Sequence, residues 1–313
     1  VATKHTIMTL DWTGQVLWSN EFTGVDIAGG DINKDGNAEI VALGDVEDVY
    51  GVYQAQIASF NYRGHMKTEA VLNVGENITH EEDEGSIRTR YISRAYIGDG
   101  HSIPPLPDSL FLADVDGDQQ ADVVTTANYH SWKEVSDGNN YPTDTDLARR
   151  HSIYAISFKA GGAIARYPVV IDALSQQYTG LTAAYGTRTV DVNNDHRADI
   201  VMNFEYGIQD IDLQVLDFRG ETLFDNFYHA LTRQGFIHWP TYSKSSVGDF
   251  DGDGITDFGK PVAGGELNLN SSGNLKIGNT TLAWPMYRQN NQRTGSLPIG
   301  KTGWLKSATG TRF

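Results

Sequence analysis

The sequence predicts an all-β fold of four-stranded antiparallel sheets, and three observations predict it. Short apolar stretches alternate with polar residues and end in polar, glycine-containing turns, the pattern of β-hairpins. Four acidic loops of one common spacing recur along the chain. No stretch carries a convincing 3.6-residue period, so helices are not expected. With 313 residues, 39% of them hydrophobic and 11% aromatic, the chain has the material for a sizeable core.

The elements follow in order. A plain hairpin opens the chain at Ile7-Met-Thr-Leu-Asp-Trp-Thr-Gly14-Gln-Val-Leu-Trp18. The first acidic loop follows, Asp31-x-Asn33-x-Asp35-x-x-x-Glu39, with an apolar β-type run directly behind it. A second plain hairpin starts at Ile57 and turns at Gly64, and the second acidic loop is Asp114-x-Asp116-x-Asp118-x-x-x-Asp122. The third plain hairpin runs from Ile153 to Gly161, ahead of Asp191-x-Asn193-x-Asp195-x-x-x-Asp199. The fourth turns at Gly220, and Asp249-x-Asp251-x-Asp253-x-x-x-Asp257 and a fifth hairpin over Leu267–Ile277 complete the series. Plain and acidic hairpins thus alternate. Two hairpins per repeat make a four-stranded blade of roughly 60 residues, the unit of a β-propeller. The expectation is an all-β propeller with about four to five blades visible, over residues 1–283, followed by a closing segment or tail over 284–313.

The acidic loops carry the chemistry. Oxygen side chains stand at loop positions 1, 3, 5 and 9, and like charges this close cost roughly 4 kcal/mol per pair at 4 Å and an effective dielectric near 20. A hard divalent cation with six to eight oxygen ligands resolves that conflict, and calcium is the usual choice. The predicted ligands are Asp31, Asn33, Asp35, Asn37 and Glu39; Asp114, Asp116, Asp118, Gln120 and Asp122; Asp191, Asn193, Asp195, Arg197 and Asp199; and Asp249, Asp251, Asp253, Ile255 and Asp257. About four Ca²⁺ ions are expected. An EF-hand is excluded by position 12, which holds Ala42, Thr125, Met202 and Lys260 where a bidentate Glu is required.

At these residues the chain resembles the FG-GAP/VCBS repeat, found in integrin α-subunit propellers and many secreted bacterial proteins. The carrying segments are Gly30-Asp31-Ile-Asn33-Lys-Asp35-Gly36-Asn-Ala-Glu39-Ile-Val41 and Val247-Gly-Asp249-Phe-Asp251-Gly-Asp253-Gly254-Ile-Thr-Asp257-Phe. The segment Trp284-Pro-Met-Tyr-Arg-Gln-Asn-Asn-Gln-Arg-Thr-Gly295 is similar to a tail often found behind such repeats. The resemblance spans about residues 5–295 and implies a calcium-bearing propeller. Gln119 and His196 depart from the pattern where it has Gly at loop position 6. A permissive backbone is wanted there, so the second and third loops are expected to be distorted or weaker sites.

Up-and-down connectivity puts the acidic loops and the turns between strands 3 and 4 on one face. The long insertions, 44–54, 74–109, 128–150, 173–187 and 231–244, then fall on the opposite face as loops. Function on a scaffold concentrates in such loops. Aromatic, Arg and His residues there suit sugar rings and acidic glycans. Tyr129, His130, Trp132, Arg149, Arg150, Tyr178, Tyr206, His238, Trp239 and Tyr242 are the candidate ligand-binding residues, weighed against their burial in small satellite cores.

Composition narrows the partners. The formal net charge is −16, and fourteen of the acids lie in the four loops, so four divalent ions would halve it. Nucleic acid is disfavoured by that balance. The chain has no cysteine, which removes disulfides and thiolate metal sites, and no apolar run is long enough for a membrane span. Weak multi-carboxylate sites suit millimolar extracellular calcium, so an exported, secreted or cell-surface protein freed of its leader is expected. Gly295-Ser-Leu-Pro-Ile-Gly300-Lys301-Thr302 spells a phosphate loop without the strand before it or the long helix after it. The leading functional expectation is a non-catalytic binding or adhesion domain for a glycan or an extracellular protein. The alternatives are a secreted lyase of acidic polysaccharides, with His130, Tyr129, Arg149 and Tyr242 in the catalytic roles, and a structural subunit or processed fragment of a larger exported assembly.

Overall fold

The structure is a computed structural model, and it describes residues 6–47, 51–97, 110–136, 143–159, 162–164, 167–172, 181–206, 210–226, 246–262, 266–271, 273 and 275. Those residues form strands and turns, with no helix among them. They build five antiparallel sheets that follow one another along the chain, none of them closed on itself.

The first sheet is the hairpin β1 (Thr6–Leu10) and β2 (Val16–Glu21). The second runs in sequence order through β3 (Gly24–Gly30), β4 (Glu39–Glu47), β5 (Val52–Phe60) and β6 (Met66–Glu76). The third contains β7 (Ile78–Glu84), β8 (Ile87–Ile97), β9 (Leu110–Ala113), β10 (Asp122–Ser136), β11 (Thr143–Ser157), β12 (Gly162–Ala163) and β13 (Val169–Asp172). In the fourth, β14 (Leu181–Val190), β15 (Asp199–Tyr206), β16 (Asp210–Leu216) and β17 (Thr222–Asn226) again pair in order. The fifth has β18 (Ser246–Gly248), β19 (Asp257–Val262) and β20 (Glu266–Ser271). The segment 284–313 lies outside the described residues.

Successive sheets stack face to face, and strand alternation shows how. In the second sheet, Ala42, Ala58 and Phe60 face the first sheet, where Ile7 meets them together with Phe22 from the link that follows β2. Their neighbours Val41, Leu43 and Ile57 point the other way and join Leu112, Val123 and Ile153 of the third sheet. The fourth sheet repeats the division: Ile200, Met202 and Leu216 belong to the cluster shared with the third sheet, whereas Val201 and Val215 meet Phe258 of the fifth. Side chains one apart on a strand take opposite faces, so a sheet buried on both faces needs unbroken apolar runs. Ile40-Val41-Ala42-Leu43 and Ile200-Val201-Met202 are such runs. Aromatic contacts reinforce the two outer junctions: Phe22 meets Phe60 edge-on at 5.7 Å, and Phe224 stacks on Phe258 at 4.9 Å.

Three plain hairpins close with the same turn. Asp11, Asn61 and Asp217 each accept, on one side-chain oxygen, the main-chain amides of the residues two and four further on. Gly14, Gly64 and Gly220 follow with φ of 88°, 79° and 72°, a left-handed conformation that costs glycine nothing.

The insertions differ from their expected form. Residues 128–136 and 143–150 are not loop but strand, because β10 and β11 are 15 residues each and pair throughout, from Asp122↔Ser157 to Val135↔Thr143. Within 74–109, β7 and β8 form a hairpin, and β8 pairs with the far half of β10 from Ala127↔Ile97 to Ser136↔Arg88. The near half of β10 pairs with β9 instead. In 44–54, β4 continues to Glu47 and β5 begins at Val52. Residues 181–187 of the insertion 173–187 lie on β14, and 231–244 lie outside the described residues.

Candidate metal centres

Each acidic loop joins two consecutive, paired strands: β3–β4, β9–β10, β14–β15 and β18–β19. One hydrogen-bond frame recurs in all four. The carboxylate at position 9 opens the second strand and turns back into the loop. There it accepts the position-2 amide: Ile32 to Glu39 Oε2 at 3.1 Å, Val115 to Asp122 Oδ2 at 2.8 Å, Val192 to Asp199 Oδ2 at 2.9 Å and Phe250 to Asp257 Oδ2 at 2.9 Å. The position-1 carboxylate accepts the position-6 amide in every loop, from Gly36, Gln119, His196 and Gly254. Position 3 takes the amide of position 5, and position 5 takes that of position 7, which is how Asn37, Gln120, Arg197 and Ile255 enter the frame.

The frame corrects the expectation that Gln119 and His196 distort their loops. Position 6 is left-handed throughout: φ is 87° at Gly36, 65° at Gln119, 69° at His196 and 83° at Gly254. Gln119 and His196 carry the backbone strain of that region and make the same bond to position 1 as the glycines do. Position 4 is left-handed as well, at Lys34, Gly117, Asn194 and Gly252, with φ of 60°, 80°, 62° and 82°. The sequence reading missed that second requirement, although Gly and Asn at three of the four positions signal it.

The position-9 acids are deeply buried: Glu39 is 4% exposed, Asp122 1%, Asp199 0% and Asp257 5%. In three of them the second oxygen, Glu39 Oε1, Asp122 Oδ1 or Asp199 Oδ1, is buried without a hydrogen-bond partner. An ionised carboxylate in that position bears a desolvation cost. Burial accordingly pushes the Asp122 and Asp199 carboxyls up to about 8, with neighbouring loop carboxylates adding to the effect. It also raises Glu39, Asp114 and Asp191 above the usual carboxylate range. Asp35 is exposed and shifts the other way, because the Asn37 main-chain and side-chain amides hold its charged form. A cation fits this donor set: it supplies the partner that the buried oxygens lack and the counter-charge that their ionised form needs when buried.

Asp114, Asp116 and Asp122 in the second loop each bring a ligand atom within 4.8 Å of the others, and so do Asp249, Asp251 and Asp257 in the fourth. These two clusters could hold a metal ion. Loops one and three have amides at position 3, and Asn33 and Asn193 each turn Nδ2 toward the position-5 carboxylate at 3.3 and 3.4 Å. In the second loop a lysine takes that place, with Lys159 Nζ lying 3.2 Å from Asp118 Oδ2.

Neighbouring loops are tied together. The Ala198 amide donates to the Asp114 carbonyl at 2.7 Å, and the buried Thr256 Oγ1 donates to the Val192 carbonyl at 2.8 Å. In both ties, position 8 of the later loop reaches position 1 or 2 of the earlier one. Arg197 adds to the first tie, its guanidinium 3.8 Å from the centre of the Phe218 ring and its stem against Gly117.

At the opposite end of the stack, the candidate ligand-binding residues divide. His130 and Trp132 lie on one face of the long β10 strand, their rings stacked at 4.6 Å. Trp132 Nε1 donates to Glu134, which also accepts Arg90 Nη1. Tyr129 lies on the other face, where it donates to Ser93 Oγ, packs over Gly75 and carries the Arg150 guanidinium at 5.6 Å. A catalytic set combining the Tyr129 and His130 side chains is therefore split by the sheet. Arg149 is placed on β11 and Tyr206 on β15 by the backbone, while Tyr178, His238, Trp239 and Tyr242 lie outside the described residues. The nearby His151 is a core residue, 3% exposed, with Nδ1 2.8 Å from Asn128 Oδ1. Burial lowers its pKa to about 3 and keeps it neutral.

No family model and no curated protein matches the chain. Among solved structures, two mutants of the Synechocystis apocarotenoid oxygenase are similar at 6% and 7% identity. They cover 72% and 76% of this chain and 68% and 69% of their own, with a TM-score of 0.19 in each case. Likeness at that level carries no argument about fold or function. Among the described residues, no helix is long and apolar enough to cross a membrane.

Proposed function

We propose that this chain is a calcium-stabilised β-propeller of the FG-GAP/VCBS type that works outside the cell as a binding or adhesion domain. One observation carries the reading: four loops of all-oxygen donors share one backbone frame on successive stacked sheets, and three of them keep a buried carboxylate oxygen without a partner. Oxygen-only donors with several carboxylates favour Ca²⁺ over softer metals, and sites of this openness fill at extracellular calcium levels. The metal's part is to neutralise and fix the loops; the chain's own residues supply the frame.

The binding surface in this reading is the end remote from the loops, where the β7–β8 hairpin and the long β10–β11 hairpin extend the third sheet. A glycan is the favoured ligand, since the stacked His130 and Trp132 rings offer an aromatic platform beside the Arg90–Glu134 pair. A polysaccharide lyase draws no support from the split of Tyr129 from His130. The test is a glycan array probed with calcium and again with chelator, using wild type and Trp132→Ala. Calcium-dependent binding that Trp132→Ala abolishes, with the melting temperature within a degree or two of wild type, is the expected result. Binding untouched by Trp132→Ala moves the surface elsewhere, and no binding to glycans or extracellular proteins at all removes the adhesion reading.

A further inference from the structure

We infer that Lys159 is a built-in competitor for the cation of the second loop, making that loop a weak, releasable metal site, whereas no side chain among the described residues competes in this way at the fourth loop. The inference rests on the reading of the loops as cation sites and concerns how they differ. The second loop has the stronger claim to a ligand of its own: its three clustered carboxylates include Asp122, 1% exposed and with Oδ1 unpartnered.

The position-5 carboxylates make the comparison. In every loop Oδ1 of this residue is engaged by the position-7 amide. That leaves Oδ2 for a cation, and its surroundings vary. A neutral amide lies beside it in loops one and three, from Asn33 and Asn193. An ammonium lies 3.2 Å from it in loop two. In the fourth loop, no donor or cation among the described residues approaches Asp253 Oδ2. A metal entering loop two must displace Lys159 or share Asp118 with it. At loop four it meets three clustered carboxylates and an open Asp253.

The source of the lysine is also specific. Lys159 directly follows the aromatic Phe158 in the turn after β11, as Arg63 follows Tyr62 and Arg219 follows Phe218, at the same end of the sheet as the second loop. Arg63 and Arg219 are the third residues of the corresponding turns after β5 and β16, and each guanidinium rests on its own turn's aromatic ring, Tyr62 at 5.1 Å and Phe218 at 4.9 Å. A basic residue thus recurs at this place, and Lys159 is the one that reaches a loop carboxylate. Its side chain is 59% exposed and Asp118 is 19% exposed, so the pair is labile enough to exchange with a metal ion. Release at loop two also reaches its neighbour, because the Asp114 carbonyl holds the Ala198 amide of loop three.

The test is calorimetric titration of the metal-stripped full chain with calcium at low and high salt, in wild type, Lys159→Met, Lys159→Arg and Asp114→Asn. Lys159→Met keeps the stem and removes the charge. It should tighten one class of sites about threefold, as expected for an exposed ion pair, and lower the melting temperature of the metal-free protein while widening the calcium-induced rise. The tightened class should be the one missing in Asp114→Asn, and Lys159→Arg should behave as wild type. Superimposable isotherms for wild type and Lys159→Met, with several classes present, overturn the role of Lys159 and leave the metal reading standing. No calcium heat in any variant overturns both.

Discussion

The two ends of the stacked sheets are built on different principles. At the loop end, Gly, Gln, Lys, Asn and His interchange at left-handed positions and Asn replaces Asp at position 3, yet the same amide-to-carboxylate bonds form four times. At the other end, the described residues of the third sheet depart from those of its neighbours. Among the described residues it alone has 15-residue strands and an added hairpin, and its surface residues hold one another through Arg90–Glu134 and Arg88–Glu81 ion pairs. A frame set by charge and backbone geometry tolerates changes of residue that a side-chain surface would not. The constancy of one end is what leaves the other free to vary.

The largest expected effect separates the ends by metal. Each site that binds only the folded state adds about 2.7 kcal/mol at a hundredfold excess over its Kd. Chelation should therefore lower the melting temperature by many degrees, while Trp132→Ala should leave the size of that drop unchanged. A chelator-insensitive melting curve would break the comparison at its root.

A smaller effect isolates a single loop. Asp122→Asn keeps an acceptor for the Val115 amide and removes a carboxyl whose ionisation burial opposes. It should raise the stability of the metal-free protein, by about 1–3 kcal/mol as for other buried polar groups left unmatched, and cut the stabilisation by calcium. Urea melts with and without calcium measure both changes, which carry opposite signs. Destabilisation in both conditions would identify Asp122 as an ordinary structural acid.

A further effect is on pH. In the metal-free protein, Asp122 and Asp199 hold their protons up to about 8, against an ordinary value of 3.8. The folded state binds more protons than the unfolded one between these limits, so stability falls as pH rises from about 4 to 8. Saturating calcium, which needs the ionised carboxylates, should flatten or reverse that slope. Thermal melts across this range, with and without calcium, provide the check, and a slope that calcium leaves unaltered would count against metal at these acids.

Much of this was legible in the sequence because its signals are local. The hairpin turns at Asp11, Asn61 and Asp217 and the spacing of the acidic loops each lie within ten residues, and the all-β arrangement of successive sheets followed from them. The β7–β8 hairpin escaped because Glu81, Glu82, Arg88 and Arg90 show no apolar alternation; its strands are held by the register of charges across the sheet. Tyr129 and His130 looked like partners as neighbours in a loop, and became strangers once the segment proved to be a strand. Lys159 was invisible for a different reason: nothing in a turn sequence says whether a basic side chain will rest on its own aromatic ring or cross to a carboxylate.

The ties from Ala198 to Asp114 and from Thr256 to Val192 have a mechanical meaning. They join three rims in series, so a load that peels the fifth sheet away is passed through Val192 to the strand start of the fourth, and from there to the third. Fraying at that end of the stack would then advance one rim at a time, with each broken link weakening its neighbour's grip.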